Sequence, residues 1–237
     1  MNRSLLAIAH RGYSSRFPEN TPAAFAAACD LGVFAVETDV RLTTDNVPVC
    51  MHDPDLLRLV RRPERIAETT FEEARRLLHE AGRELCLLED ALKLMKNIRG
   101  RLLLDVKVPS SLPLIHELLE RLAMPLDAVV LGLRSIDQVH VWRSMDTRRP
   151  VLGFLEDVRD IPAFLTEGGT VIRFWEEDLM RQPNLVHLAG ETPFWVMAGA
   201  RTSSCGETTP ERIEAVRALG AEALLLNDPA LLLSRTE

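Results

Sequence analysis

Four groups of ionisable residues follow short apolar runs along the chain: His10-Arg11, Glu37 with Asp39, His52-Asp53, and Asp105 with Lys107. Residues two apart on a strand point to the same face, so Glu37 shares a face with Asp39, and Asp105 shares one with Lys107. Three carboxylates (Glu37, Asp39 and Asp105) converging on one mouth repel one another, and a hard divalent cation relieves that repulsion. An all-oxygen donor set without thiolate favours Mg²⁺ or Ca²⁺ over zinc, with Mn²⁺ also admitted. His10 and His52 suit a general base and a general acid, because an imidazole titrates near working pH. Arg11 and Lys107 suit the non-bridging oxygens of a phosphate. A metal, two histidines and two cations meet the needs of phosphoryl transfer, which are positioning and neutralisation of oxygen charge. A plainer reading of Glu37 and Asp39, as solvated charges at a strand end, stands beside this one. His79, His116, His140 and His187 fall in helical segments or connections and read as structural or surface residues.

The elements that must position these groups repeat in a rhythm. Eight short apolar runs, at 5–9, 33–38, 101–106, 128–133, 151–155, 170–174, 194–198 and 221–226, alternate with helical patterns. Near-continuous apolar runs suit parallel strands covered on both faces. The segments at 21–31, 113–122 and 210–219 carry Pro in a first turn, and Gly32 and Gly220 stand where two of these helices should end. Eight such units predict an α/β fold of the (β/α)₈ TIM-barrel kind, whose strand C-termini carry the chemistry. One stretch breaks the rhythm: 36–41 and 47–52 are both strand-like but too close for a parallel crossover, so they form a hairpin at the active-site mouth. Thr44-Asp45-Asn46 supplies the turn, with Asn46 left-handed. This pairing sets Glu37 opposite Asp53 and Asp39 opposite Met51, and draws His52 towards both carboxylates.

The 237 residues suit one barrel domain spanning 1–237, since about 250 is typical of the architecture. A net charge of −7 argues against nucleic acid or an anionic membrane as partner, though one bound cation can reverse the sign of a local site. Cys29, Cys50, Cys86 and Cys205 are scattered without CxxC spacing, as expected of thiols in a reducing compartment. No apolar run approaches the roughly 18–20 residues of a membrane span. The first ten residues read as a first strand and not as a signal peptide, and a cytoplasmic location follows.

These residues form an ordered series: His10-Arg11-Gly12, Pro18-Glu19-Asn20-Thr21, Glu37-Thr38-Asp39-Val40, Thr43-Thr44-Asp45 and Pro48-Val49-Cys50-Met51-His52-Asp53. The series resembles the signature of the glycerophosphodiester phosphodiesterase family, of the phospholipase-C-like phosphodiesterase superfamily. Asp105-Val106-Lys107, Ser135, Trp195 and Asn227-Asp228-Pro229 resemble its later motifs more loosely. The resemblance implies hydrolysis of a small glycerophosphodiester to an alcohol and sn-glycerol 3-phosphate, through a cyclic phosphate. It implies His10 and His52 as the acid–base pair, Glu37, Asp39 and Asp105 as metal ligands, Arg11 and Lys107 on the phosphate, and Glu19 in support, orienting Arg11 or contacting substrate. The departures are Asp105 for the usual Glu, Asn46 for the turn Gly, Val196-Met197-Ala198 for Thr-Val-Asn, and Leu226-Asn227 for Thr-Asp. The late ones bear on the substrate more than on the reaction. Two other readings remain: lysophospholipase D activity, with Trp142, Trp175 or Trp195 lining an apolar slot, and a catalytically silent phosphodiester binder. A loop carrying Arg58, Arg61, Arg62 and Arg65 is either a solvated connection or a lid on the phosphate. The oligomeric state is left open.

Overall fold

The computed structural model describes residues 4–233. Nine strands follow the predicted order: β1 (Leu6–Ala9), β2 (Ala35–Leu42), β3 (Pro48–Cys50), β4 (Leu102–Val106), β5 (Val129–Leu133), β6 (Val151–Gly153), β7 (Val171–Trp175), β8 (Phe194–Met197) and β9 (Ala223–Leu226). Eight of them pair in parallel in the ring β1–β2–β4–β5–β6–β7–β8–β9, and β9 returns to β1 to close it. The eight predicted runs are these eight strands. Met1–Arg3, the start of the predicted first-strand segment, lie outside the described residues.

Alternation along the strands produces two cores. Ile8, Leu103, Val130, Leu152, Trp195 and Leu225 face inward and fill the barrel floor. Residues of opposite parity, such as Val36, Leu104, Leu131 and Val196, face outward against the helices, where Phe25, Leu92, Trp142 and Phe164 pack over them. The same parity sends Glu37 and Asp39 inward above Ala35, and Asp105 above Leu103. Apolar pairing therefore sets which way the carboxylates point.

β3 is the predicted hairpin strand. It lies antiparallel to β2, with Val40 opposite Cys50 and Leu42 opposite Pro48. Asn46 turns the chain at φ 60°, as its side chain allows. The Met51 N–H still donates to the Asp39 carbonyl at 3.1 Å, but the ladder goes no further. The expected opposition of Glu37 and Asp53 does not form. On that edge of β2 the next partner is β1, beside Ala35 and Val36 where the barrel closes, while β4 runs along the opposite edge with Glu37 beside Leu103.

The ends of two helices show how local chemistry places site residues. Thr21 caps the helix Pro22–Asp30 by accepting from the Ala24 N–H, with Pro in the first turn. Just before that cap, Gly12 at φ +80° lets the chain leaving β1 press against the helix; an added Cβ would lie 2.6 Å from the Ala24 Cβ. Gly12→Ala is expected to cost about 3 kcal/mol from left-handed strain and overpacking together. The melting temperature would then fall by about 6–12 °C. A fall below about 2 °C in a thermal melt would show that the helix can move aside.

Candidate active site

Glu37, Asp39 and Asp105 are all buried, and one ligand oxygen from each lies within 4.8 Å of the others. Asp39 and Asp105 are direct partners across the β2–β4 ladder, which would repel without a cation between them. Lys107 supplies one: its Nζ lies 2.9 Å from Asp39 Oδ1 and 2.5 Å from Asp105 Oδ2. Burial alone would raise the Asp39 carboxyl, but Lys107 and Arg11 outweigh it and hold the group well below the ordinary range. Glu37 has the opposite fate. Burial, then the charges of Asp39 and Asp105, push its carboxyl well above the ordinary range. A cluster that drives one of its own carboxylates towards protonation has room for more positive charge. Three convergent oxygen donors without a thiolate suit a hard divalent cation, so the residues fit the metal that the sequence implies.

Short polar segments hold this cluster in shape. Asn20, at φ 57°, donates from Nδ2 to Asp39 Oδ2 at 3.0 Å and accepts from the Thr38 hydroxyl at 2.7 Å. The Arg11 N–H, on another left-handed residue, donates to Glu37 Oε2 at 2.8 Å. The Arg11 side chain runs between Asp39, 3.4 Å from Nε, and Glu19, 3.1 Å from Nη1. Glu19 thus pairs with Arg11, the contact that the first of its two expected roles requires.

Each histidine has a fixed ring partner. His10 Nδ1 meets Asn227 Oδ1 at 2.7 Å, while the Asn227 amide nitrogen donates to the Cys205 carbonyl at 3.0 Å. A carbonyl only accepts, so the amide cannot be turned round, and His10 must carry its proton on Nδ1. Its bare Nε2 then faces Glu37 at 4.0 Å. Burial, and next the charge of Arg11, pull the His10 pKa down to about 4. His52 Nδ1 meets Asp53 Oδ1 at 2.6 Å, and its main-chain carbonyl accepts from Arg41 Nε at 2.8 Å. Burial lowers the His52 pKa, with Asp39 and Asp53 pulling the other way.

Of the suspected lid, only Arg58 reaches these groups. It pairs with Glu19 and Asp53, the partners of Arg11 and His52, and does not line the cavity between the strand ends. Arg61, Arg62 and Arg65 are exposed, as a solvated connection would be.

All the predicted site residues except Glu19 line one cavity of ≈ 500 Å³ at the strand C-termini. Four further arginines line it as well: Arg41, Arg134, Arg173 and Arg201. Sequence reasoning missed them, although two had a signal. Arg41 follows Asp39 at the same parity, and Arg173 interrupts an apolar strand. Of the three tryptophans only Trp175 reaches the cavity. Trp142 is fully buried in the helix shell. Trp195 lies lower in the barrel, edge-on to Phe34, with its Nε1 donating to Glu222 at 2.9 Å. An apolar slot built on all three does not form.

Residues 10–164, more than half of the chain, match the Glycerophosphoryl diester phosphodiesterase family. Glycerophosphodiester phosphodiesterase 1 of Rattus norvegicus is 44% identical over 79 residues, covering 33% of this chain and 24% of that protein. Probable glycerophosphodiester phosphodiesterase 2 of Mycobacterium tuberculosis is 34% identical over 117 residues, 49% of this chain and 44% of its own. The matched part thus spans less than half the length of these relatives. A glycerophosphodiester phosphodiesterase from Thermotoga maritima superposes with a TM-score of 0.81 at 17% identity, covering 99% of both chains. A phosphodiesterase from Oleispira antarctica, solved with the product sn-glycerol-3-phosphate, superposes at 0.81 with 18% identity, covering 97% of this chain and 95% of that one. At these identities the structural likeness establishes the barrel. No helix among the described residues is long and apolar enough to cross a membrane.

Proposed function

The chain belongs to the glycerophosphoryl diester phosphodiesterase family, and from that premise we propose that it hydrolyses glycerophosphodiesters to an alcohol and sn-glycerol 3-phosphate. One observation carries the reading: two histidines with fixed ring partners flank a buried three-carboxylate cluster in a cavity that also presents Arg11 and Lys107. Glu37, Asp39 and Asp105 would hold a divalent cation, Mg²⁺ or Ca²⁺ before Mn²⁺, which when bound neutralises phosphate charge. Arg11 and Lys107 hold the non-bridging oxygens. His10 Nε2 takes the proton of the glycerol 2-hydroxyl, and that oxygen attacks phosphorus. The bond from phosphorus to the leaving alcohol breaks, and His52 gives its proton to the departing oxygen. Water then opens the cyclic phosphate with the two roles reversed.

The ring partners support this order of roles. Asn227 accepts from the His10 ring and favours its charged form, but burial and Arg11 outweigh it and keep the ring neutral, as a base must be. Asp53 is a carboxylate and steadies a protonated ring, so His52 is the acid. The reading is favoured over lysophospholipid cleavage because the apolar lining residues, such as Phe154 and Met197, are interleaved with arginines. It is favoured over a silent binder because both histidines keep their partners. A reducing, cytoplasmic setting is part of the proposal, supported by four free cysteines.

The test is release of sn-glycerol 3-phosphate from a set of glycerophosphodiesters with Mg²⁺, Ca²⁺, Mn²⁺ or EDTA. Metal-dependent release is expected. No release from any diester with any of the metals would overturn the proposal.

A further inference from the structure

β7 places Arg173 and Trp175 on its inward face, at the parity of Val171 in the barrel floor. Arg173 is only 8% exposed, yet its Nε and Nη1 have no hydrogen-bond partner, and neither has Trp175 Nε1. Buried polar groups in folded proteins are paired, and a buried cation without a carboxylate is costly. Three orphaned donors on one strand, facing a cavity, call for an acceptor that arrives from outside.

The surroundings of Arg173 are built for a guanidinium. It lies 5.3 Å from the Phe154 ring centroid and 4.6 Å from that of Trp175. Arg134 lies 5.4 Å from Phe154, and Arg201 lies 5.4 Å from Trp175. The result is an alternating series, Arg134–Phe154–Arg173–Trp175–Arg201. Gly132 makes room for it, since a Cβ there would come within 2.3 Å of the Phe154 ring. The two outer arginines are answered: Arg134 grips Asp105 through two nitrogens, and Arg201 reaches Asp178. The central one is not. Burial and the neighbouring Arg201 lower the Arg173 pKa to about 10, which still leaves it charged at neutral pH.

The position across the barrel says which part of a substrate would meet it. β7 stands opposite β2 in the closed ring, four strands away in either direction. Glu37, Asp39, Arg11 and Lys107 gather on the far side and answer the scissile phosphate. Glycerol carries no charge. The remaining part of a phosphodiester is the leaving alcohol.

We propose that the preferred substrate is a glycerophosphodiester whose leaving alcohol carries its own acidic group, a carboxylate or a second phosphate, held by Arg173 and Trp175. This inference rests on the phosphodiesterase reading and narrows it. Alcohols that carry only a cation, such as ethanolamine or choline, face three arginines and are disfavoured.

Two substrate pairs isolate the acidic group. Glycerophosphoserine differs from glycerophosphoethanolamine by one carboxylate. Glycerophosphoinositol phosphate differs from glycerophosphoinositol by one phosphate. The wild-type protein with its metal is expected to favour the acidic member of at least one pair by about tenfold or more in kcat/KM, the scale of a charge-assisted contact. The pair that responds identifies the acid. In Arg173→Gln the preference should fall below about threefold, with the non-acidic member changed by less than about threefold. Equal turnover within both pairs, or a preference that survives Arg173→Gln, would overturn the inference and leave the phosphodiesterase reading intact. Failure to turn over all four diesters would overturn that reading instead. The subsite is then decided by calorimetric binding of O-phosphoserine against phosphoethanolamine to wild-type protein: no advantage for the serine ester sinks it. Arg201→Gln, at the exposed end of the series, is a second variant if Arg173→Gln does not fold, and should lose part of the same preference.

Discussion

His10→Asn is expected to lower kcat by about 10³-fold, within the range a lost general base costs, while KM changes less than about threefold. The substitution separates two jobs of one ring. The asparagine amide sets an N–H close to where Nδ1–H stood, so it can still donate to Asn227 Oδ1, 2.7 Å from Nδ1 in the native protein. Nothing replaces the Nε2 lone pair that faces Glu37. The variant should therefore fold normally, with a melting temperature within about 2 °C of the parent. Asn227→Ala makes the complementary change: the base stays, but the contact that fixes its tautomer and direction is gone. Its kcat loss should be smaller, about tenfold to a hundredfold. Turnover in His10→Asn within about tenfold of wild type would remove His10 as the base. An Asn227→Ala loss as large as that of His10→Asn would mean that the asparagine acts on substrate itself.

The reason His10 was legible and Asn227 was not lies in distance along the chain. His10, Glu37 and Asp39 stand at the ends of apolar runs, so periodicity alone assigned them to strand termini on the barrel mouth. Asn227 showed in sequence as a departure at the last strand. Its role depends on β9 returning to β1, a contact spanning 217 positions. Ring closure also explains the error at Glu37. A hairpin considered alone sets Glu37 against Asp53, but β1 takes that edge of β2 at Ala35 and Val36 once the barrel closes. The arginines were hidden for another reason. A charge within an apolar strand, like Arg173, ordinarily argues against burial, and only the facing Phe154 and Trp175 rings make its position intelligible. The shorter Asp105, noted as a departure from the usual glutamate, now has a counterpart. Arg134 grips both of its oxygens, which ties the carboxylate cluster to the arginine series across the mouth.

Removing the metal with EDTA is expected to abolish turnover, and Glu37→Gln should show why the cluster needs a cation. In the metal-free protein Glu37 is buried beside Asp39 and Asp105, and these neighbours disfavour its charge. The glutamine amide would keep an oxygen to accept the Arg11 N–H while removing one charge from the cluster. Metal-free Glu37→Gln should therefore be as stable as metal-free wild type or more stable, by about 1 kcal/mol, raising the melting temperature by about 2–4 °C. Addition of Mg²⁺ or Ca²⁺ at a hundred times its Kd should stabilise wild type by about 2.7 kcal/mol. The variant should gain less than about a third of that, and its turnover should fall by at least about a hundredfold. The opposing signs are what make the pair of measurements decisive. A residue that only supported the fold would lose stability on substitution, and a bystander would leave the metal response unchanged. Loss of function together with gain of metal-free stability is expected only of a carboxylate kept in an unfavourable place to hold a cation.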